Sequence, residues 1–268
     1  MRTSSIPGKL IQLSNLRWEL WWTFIRAWMQ RRKSGSVPCV LPLSRQLVYV
    51  PLDEFYESYC YFSESPRGRA EAGFFLDRLR PQDVVFDIGA FRGAYGAAAK
   101  AMLGEAVTVH LFEPLPGNIE KLRAVCVLNH FQGFEIVGKA VGSGTVIKGA
   151  VDRTDSMLRA GNSASAAVAI EFPSTSVDAY VRETGVIPSL MKIDVEGFES
   201  DVVEGAHRSL AEHKPRLWIE LHPDFLAAHG KRWQDIIELL KSLGYATTFF
   251  HDYGLPTRDN AFHVWCEA

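Results

Sequence analysis

The feature that most restricts the fold of this chain is a short apolar segment followed at once by a glycine-rich turn. Residues 84–88, VVFDI, have the length and composition of a β-strand that is buried on both faces. Asp87 lies near the end of this strand, and Gly89 and Gly93 occupy the first and fifth positions of the turn. Glycine permits a tight turn and the close approach of a ligand, and a helix that follows offers unpaired N–H groups. The segment therefore predicts a ligand-binding turn at the edge of a buried sheet.

Strand-like and helical segments alternate along the rest of the chain. Strand-like runs occupy residues 107–112, 134–141, 190–193, 217–221 and 245–250, and the clearest helices are residues 118–128 and 233–243. Such alternation predicts parallel strands joined by helical crossovers, and hence an α/β fold with a doubly wound sheet. Ligands of these sheets bind outside the carboxyl ends of the strands.

The first part of the chain differs in character from the rest. Residues 10–30 carry polar side chains at steps of three or four, which predicts a helix with a narrow polar stripe and a broad apolar arc. Residues 35–42 contain the glycine and prolines of a loop, and residues 46–51 are typical of a short strand. We therefore predict an N-terminal appendage over residues 1–72 and a main domain over residues 73–268.

Two further segments of the main domain can be interpreted from sequence. Residues 73–79 are compatible with a short helix that ends before Pro81. Residues 142–176 interrupt the alternation with glycine, serine and alanine, and contain strand-like pieces at 146–151 and 166–172. We predict that this stretch forms a hairpin-like insertion that borders the ligand site.

Composition limits the partners that this chain can have. Its 268 residues are 47% hydrophobic and carry a formal net charge of −2, so no global basic field attracts nucleic acid. The four cysteines are widely spaced and form no CxxC pair: Cys39, Cys60, Cys126 and Cys266. Such scattered cysteines are typical of reduced thiols in the cytosol, and we expect a cytoplasmic protein.

The broad apolar arc of the N-terminal helix needs a partner. Charged residues within residues 10–30 disfavour a cleaved signal and a simple membrane span. The arc could pack on the chain's own domain, on a second subunit, or on a lipid interface, since Arg31, Arg32 and Lys33 follow its tryptophans. We expect packing, with peripheral membrane contact through residues 10–33 as the alternative.

The spacing of the glycine turn separates several kinds of nucleotide site. The hydride-transfer fingerprint GxGxxG fails because Phe91 stands at its second glycine, which disfavours a dehydrogenase, and a GxxxGxG variant fails at Tyr95. The remaining pattern, acid-x-Gly-x-x-x-Gly, suits a ligand without a pyrophosphate, whose amino-acid portion crosses the turn. A tight turn with no ligand is the alternative interpretation.

A second acid strengthens the interpretation of a nucleoside site. Glu113 ends the next predicted strand, at about the distance from the glycine turn at which such folds place the acid that binds a ribose diol. Alone, it could be an exposed residue at a strand end. Together with Asp87, it favours a bound nucleoside.

Several motifs resemble those of the FkbM family of methyltransferases. They are Phe112-Glu113-Pro114 with Asn118 and Leu122, the stretch Ser174-Thr175-Ser176-Val177-Asp178, and the most distinctive one, Lys192-Ile193-Asp194-Val195-Glu196-Gly197-Phe198-Glu199. The resemblance covers residues 81–250. It implies a class I methyltransferase sheet of the Rossmann-like kind, S-adenosylmethionine as the methyl donor, and hydroxyls of sugars or small natural products as common acceptors.

The resemblance also assigns residues to the cofactor. It implies that Asp87, Gly89 and Gly93 line the methionine portion and that Glu113 binds the ribose. Many class I enzymes bind the adenine amine with an acid after the third strand, where this chain has Lys139. We therefore expect backbone contacts near Ala140 to take that role.

Four polar residues are expected to surround the acceptor. Asp194 and Glu196 close one predicted strand, and Glu220 and His222 close the next. Residues two apart on a strand share a face, so we expect these four side chains to gather at one edge of the sheet. We predict that Asp194 and Glu196 position the acceptor or remove its proton, with His222 as a second candidate base. In the less favoured alternative these four residues bind a divalent metal.

Structural roles remain possible for two of these residues, because Glu196 could open the next helix and His222 could be a loop residue before Pro223. The other histidines have no comparable neighbours in sequence and are assigned no role: His110, His130, His207, His213, His229, His251 and His263. A nucleoside-binding scaffold without turnover is the rival hypothesis for function, and the acids at Asp194 and Glu196 speak against it.

Overall fold

The structure is a computed structural model, and it describes residues 36–40, 47–51, 59, 66–144, 146–151, 158–159, 168–250 and 260–268. The predicted amphipathic helix at residues 10–30, with the basic residues that follow it, lies outside the described residues. Among the helices that the structure describes, none is long and apolar enough to cross a membrane.

The described elements alternate along most of the chain. The strands are β1 (Ser36–Val40), β2 (Leu47–Pro51), β3 (Val84–Ile88), β4 (Thr108–Phe112), β5 (Phe134–Val137), β6 (Ala140–Val141), β7 (Val146–Val151), β8 (Leu158–Arg159), β9 (Val168–Thr175), β10 (Leu190–Ile193), β11 (Arg216–Leu221), β12 (Ala246–Phe250) and β13 (Phe262–Glu267). The helices are α1 (Pro66–Leu76), α2 (Ala94–Leu103), α3 (Pro116–Leu128), α4 (Val177–Thr184), α5 (Glu199–Gly205), α6 (His207–His213), α7 (Pro223–Ala228) and α8 (Trp233–Ser242).

The central sheet confirms the predicted α/β class. Seven strands lie in the order β12-β13-β11-β10-β3-β4-β5. Strand β3 pairs in parallel with β4 on one side and with β10 on the other, whereas β13 runs antiparallel between β11 and β12. The chain leaves β3 toward β4 and later returns to the other side of β3 at β10. This reversal of strand order places a crevice at the carboxyl ends of β3 and β10, where doubly wound sheets bind ligands.

Helices cover both faces of this sheet. Alternate residues of each strand point to opposite faces, so Val85 packs with helices α1, α2 and α3, while Phe86 packs with helices α4 to α8. Trp218 on β11 is fully buried on the first face, where it stacks with Phe74 of α1 at 4.9 Å between ring centroids. Both faces are apolar because both are covered, which explains the near-continuous hydrophobic strands.

Smaller sheets form at the edges of the main one. Strands β7 and β9 pair antiparallel, as predicted for the insertion, and β6 runs parallel to β9. Strands β1 and β2 form a separate hairpin. The side chain of Asn129, after α3, bonds both backbone groups of Tyr49 in β2, at 2.6 and 2.8 Å, and so holds the hairpin against the domain.

Several sequence-based boundaries need correction. The predicted loop at residues 35–42 contains β1, and the strand predicted at residues 134–141 is two short strands in different sheets. Helix α1 begins at Pro66, so it runs through residue 72, where the sequence analysis placed the end of the appendage. That division of the chain stays a prediction. Strand β13 was not predicted.

Candidate active site

A cleft of about 640 Å³ lies at the carboxyl ends of β3, β4 and β10. Its walls come from the glycine turn, the start of α3, the β6–β7 region and the segment after β10. The lining residues are Gly89, Phe91, Phe112, Glu113, Pro114, Asn118, Ala140, Val141, Ile147, Asp194, Val195, Glu196 and Phe198. Gly89, Glu113, Ala140, Asp194 and Glu196, which the sequence analysis proposed, therefore face one cavity.

The glycine turn is tight because its neighbours leave no room for side chains. Gly89 has φ +76°, and a Cβ there would lie 1.8 Å from the carbonyl oxygen of Asp194. Gly93 has φ +73°, and a Cβ there would lie 2.5 Å from Cδ2 of Leu122 in α3. Gly93 does not line the cleft, so the packing of α3 accounts for that glycine. Gly89 both lines the cleft and fixes the contact between the ends of β3 and β10.

Glu113 is a buried carboxylate, only 4% exposed, at the end of β4. Its Oε2 accepts a hydrogen bond from the Phe91 N–H at 2.9 Å, and its Oε1 accepts from the Leu115 N–H at 2.9 Å and from Asn118 Nδ2 at 3.2 Å. A carboxylate has about four acceptor positions, so Oε2 retains one for a ligand in the cleft. Burial raises the pKa of Glu113 to about 7, although these three hydrogen bonds favour the ionised form.

Asp87 lies behind the cleft and does not line it. It is 1% exposed, and its Oδ1 lies 3.4 Å from Nζ of Lys192 on β10. Lys192 also lies 3.1 Å from Oδ2 of Asp194 and donates a hydrogen bond to the Gly89 carbonyl oxygen at 2.9 Å. One buried lysine thus joins β3, the glycine turn and the end of β10.

The charge state of this lysine follows from its two carboxylate neighbours. Burial opposes the charged form, but the negative charges of Asp194 and Asp87 outweigh it and raise the pKa of Lys192. Sequence reasoning missed Lys192. A signal existed, because Lys192 interrupts an apolar strand at the position that pairs with Asp87 in the parallel register.

Asp194 and Glu196 occupy a turn and do not continue the strand. Strand β10 ends at Ile193, and Glu196 and Gly197 have φ values of +51° and +103°. The expectation that both acids share a face because they are two apart on a strand is therefore wrong, although both line the cleft. Glu196 also does not open the helix: α5 begins at Glu199.

Asp194 is a partly exposed acid of the site, with 28% of its side chain accessible. Burial would raise the pKa of Asp194, but the nearby charges of Lys192 and His222 lower it overall. The group is therefore ionised at neutral pH while facing the cleft.

His222 follows β11 and is 2% exposed. Its Nδ1 lies 2.8 Å from Oε1 of Glu199, and its Nε2 lies 4.0 Å from Oδ1 of Asp194. Burial would lower the pKa of His222, but its hydrogen bond to Glu199 and the charges of Glu220, Glu199 and Asp194 raise it well above the usual value. His222 is thus more than a loop residue before Pro223. Glu199, which is fully buried, was missed as its partner.

His263 was assigned no role from sequence, but the structure places it in a polar cluster. It comes from the unpredicted strand β13, stacks on Trp218 at 4.5 Å between ring centroids, and places Nε2 3.5 Å from Oε2 of Glu220. Glu71 of α1 lies 3.9 Å from its Nδ1. The polar cluster beside the cleft therefore extends through β11 and β13 to α1.

For the residues near the proposed adenine position, the structure tests only where they lie. Lys139 is exposed, whereas Ala140 is buried and lines the cleft. No described acid other than Glu113, Asp194 and Glu196 lines the cleft.

A family model, described as the methyltransferase FkbM domain, matches residues 87–247, which is more than half of the chain. The chain belongs to the FkbM methyltransferase family. No curated protein matches it. In this FkbM-family chain the motif KIDVEGFE supplies Lys192, Asp194, Glu196 and Glu199, and so joins the cleft to the buried charges behind it.

Solved structures of other methyltransferases are similar to this FkbM-family chain. Methyltransferase FkbM from Methylobacillus flagellatus KT is 18% identical with a TM-score of 0.49, over 81% of this chain and 55% of that one. Precorrin-6y C5,15-methyltransferase from Geobacter metallireducens is 12% identical with a TM-score of 0.46, over 74% and 86% of the two chains. Fibrillarin from Aeropyrum pernix, with natively bound S-adenosyl-L-methionine, is 12% identical with a TM-score of 0.47, over 74% and 73%. The chain thus spans about half the length of the Methylobacillus protein.

Proposed function

We propose that this chain transfers a methyl group from S-adenosylmethionine to a hydroxyl of a sugar, a glycan or a small natural product. The observation that carries the proposal is that one cleft joins Gly89, Glu113 and Ala140, which suit a nucleoside, to the acids Asp194 and Glu196. Family membership supports methyl transfer, and the acids support an acceptor that must lose a proton.

The chemistry of the residues that line the cleft suits the proposed cofactor. The glycine turn leaves backbone close to the methionine portion, and the remaining acceptor position on Oε2 of Glu113 suits a ribose hydroxyl. The apolar residues Phe112, Val141 and Ile147 form a wall that suits a planar base, beside the backbone of Ala140.

When bound, S-adenosylmethionine supplies a methyl group that is already activated for displacement. The protein then has to align the acceptor, exclude water and remove a proton. Asp194 is suited to that last role because its carboxylate faces the cleft and Lys192 keeps it ionised. Glu196, on the same wall, is suited to position the acceptor, and His222 stands behind Asp194.

Glu113 makes cofactor binding pH-dependent. Its pKa in the free protein is raised to about 7, and ribose hydroxyls donate hydrogen bonds to the ionised form. Binding is therefore strongest above pH 7, and the Kd for S-adenosylhomocysteine should rise by up to about tenfold for each pH unit below 7. Calorimetric titrations at pH 8, 7 and 6 measure this change.

The variant Glu113→Gln is the control, because a glutamine resembles the protonated carboxyl. At pH 8 it should weaken binding by about tenfold or more, corresponding to about 1.5–3 kcal/mol for a buried hydrogen bond to a charged group. Its affinity should also lose the part of the pH dependence that the wild type shows below pH 7. Equal affinities and equal pH profiles for both proteins would remove Glu113 from the cofactor site.

Methyl transfer itself is tested with radiolabelled S-adenosylmethionine and a panel of sugars, oligosaccharides and hydroxylated natural products. We expect label on a hydroxyl oxygen of one class, located by nuclear magnetic resonance, and a kcat about 10²-fold lower for Asp194→Asn with cofactor affinity unchanged. Methyl groups on nitrogen or carbon would contradict O-methylation. Cofactor binding without transfer to any member of the panel would favour the scaffold hypothesis.

A further inference from the structure

We propose that Asp194, Glu220 and His222 bind a divalent transition-metal ion, with Mn²⁺ as the best-matched ion, beside the cleft at the position of Asp194. Each residue offers one ligand atom, and these atoms lie within 4.8 Å of one another. Metal–ligand bonds of about 2.0–2.2 Å place donor atoms about 3–4 Å apart, so small side-chain movements close the site. Glu196, which the sequence analysis included as a fourth ligand, is not part of this group.

The main sheet holds two of the three ligands in place. Strands β10 and β11 are parallel neighbours, with Ile193 paired to Ile219, so Asp194, the first residue after β10, comes beside Glu220 of β11. His222 follows at the end of β11. Ligands placed by rigid strands need little reorganisation to bind an ion.

The orientation of His222 is the second observation that points to a metal. Its ring is 2% exposed, its Nδ1 is held by Glu199 at 2.8 Å, and its Nε2 faces Asp194 Oδ1 at 4.0 Å. Within the described part of the chain, Nε2 makes no hydrogen bond. Metal-binding histidines usually present one nitrogen to the ion while the other is bonded to a carboxylate, which is the arrangement seen here.

Glu199 is built for that supporting position. It is fully buried, and the oxygen that contacts His222 also accepts a hydrogen bond from the Gly197 N–H at 2.9 Å. Glu199 is therefore a positioning residue: it fixes the ring of His222 and does not reach the cleft itself.

The proposed ligands lie among several acidic residues. Asp87, Asp194, Glu199 and Glu220 lie close together, and Lys192 is a cation shared by the first two. Lys192 contacts Oδ2 of Asp194, whereas Oδ1 of Asp194 faces His222. The oxygen that would bind the metal is therefore not the one that contacts the lysine. A divalent ion would replace the positive charge that His222 carries when protonated, because the imidazole binds a metal in its neutral form.

The ligand types decide which ion fits. Two carboxylates and one imidazole are less suited to Ca²⁺ and Mg²⁺, which prefer oxygen alone, and the set lacks the thiolate or additional histidines typical of structural zinc sites. Mn²⁺ accepts both oxygen and imidazole. The role of the ion rests on the function proposed above: as a Lewis acid, it would lower the pKa of an acceptor hydroxyl. With the ion bound to Asp194, the carboxylate of Glu196, which lines the cleft and is not a ligand, would accept the proton in place of Asp194.

Metal binding is measured directly, without an acceptor. The full chain is treated with EDTA, dialysed and titrated with Mn²⁺, and free Mn²⁺ is followed by electron paramagnetic resonance. We expect one saturable site per chain, lost in Asp194→Ala and His222→Ala and weakened about 10- to 100-fold in Glu199→Gln. The matched control Glu238→Gln, on the exposed side of α8, should bind as the wild type does.

The electron paramagnetic resonance spectrum of bound Mn²⁺ distinguishes a residue that binds the ion from one that only stabilises the fold. Hyperfine coupling to an imidazole nitrogen should be present in the wild type and in Glu199→Gln, and absent in a His222→Gln variant that keeps its circular dichroism spectrum. Absence of saturable Mn²⁺ binding, or binding that His222→Gln leaves unchanged, would overturn the site. S-adenosylhomocysteine titrated into the same metal-free protein reports on the proposed function separately, because the residues proposed to bind it, Gly89, Glu113 and Ala140, include none of the three metal ligands.

Discussion

Replacing Lys192 by methionine is expected to lower the free energy of unfolding by about 3–5 kcal/mol, because removing one partner of a buried ion pair leaves the other charge unpaired. Asp87 is 1% exposed and Lys192 is its ion-pair partner at 3.4 Å, while Lys192 also bonds the Gly89 carbonyl oxygen. Methionine keeps most of the volume of lysine, so the loss reports on charge and hydrogen bonding. Urea denaturation followed by tryptophan fluorescence measures it.

Two controls separate the buried charge from other effects. Lys241→Met, on an exposed position of α8, should change the free energy of unfolding by less than about 0.5 kcal/mol. The double variant Lys192→Met with Asp87→Asn should recover part of the loss, since it removes the unpaired carboxylate. The loss in Lys192→Met should also shrink as the pH falls, because burial already raises the pKa of Asp87 and protonation removes its charge. A single variant that is as stable as Lys241→Met would show that the pair contributes nothing.

The central strands could be predicted because their signal is local. Both faces of β3, β4, β10 and β11 are covered by helices, so these strands are mostly apolar and stand out from the flanking polar segments. Strand β13, FHVWCE, mixes polar and apolar residues and lies antiparallel between β11 and β12. That position depends on long-range pairing, which no local pattern in the sequence reports.

Two other errors in the predicted strands also arise because a local sequence pattern does not determine which strands pair. Strand β1 contains Pro38, which suggested a loop, but a proline is tolerated at an edge strand, and β1 pairs with β2 alone. The run at residues 134–141 is apolar enough for one strand, yet Gly138 and Lys139 turn the chain, and Ala140 then pairs with Ser174 of the insertion.

The residues of the site also divide into those that the sequence could predict and those that it could not. Glu113 and Asp194 could be found because they end predicted strands, and the carboxyl ends of parallel strands meet at one edge. Lys192, Glu199 and His263 could not, because their importance comes from partners in other elements: Asp87 across the β3–β10 pair, His222 after β11, and Glu220 across the β11–β13 pair. Glu199 even lies within the recognised family motif, where sequence alone gives it no partner.

Replacing Gly89 by alanine is the second substitution for which we expect a large loss of stability, and Gly185 is its matched control. Gly89 and Gly185 have nearly equal φ values, +76° and +72°, so alanine pays the same backbone cost of about 1–2 kcal/mol at either position. They differ in their surroundings. At Gly185 an added Cβ would meet nothing within 4 Å, whereas at Gly89 it would lie 1.8 Å from the carbonyl oxygen of Asp194.

We therefore expect Gly185→Ala to lower the free energy of unfolding by about 1–2 kcal/mol. Gly89→Ala should lower it by about 4 kcal/mol or more, or yield no folded protein, because backbone at the end of β10 cannot move aside as a flexible side chain could. Any Gly89→Ala protein that does fold must move the glycine turn away from the end of β10. Gly89 lines the proposed cofactor cleft, so the affinity for S-adenosylhomocysteine should fall in this variant while that of Gly185→Ala is unchanged. Equal losses of stability in the two variants, with binding intact in both, would show that the ends of β3 and β10 are not in the close contact on which the cleft depends.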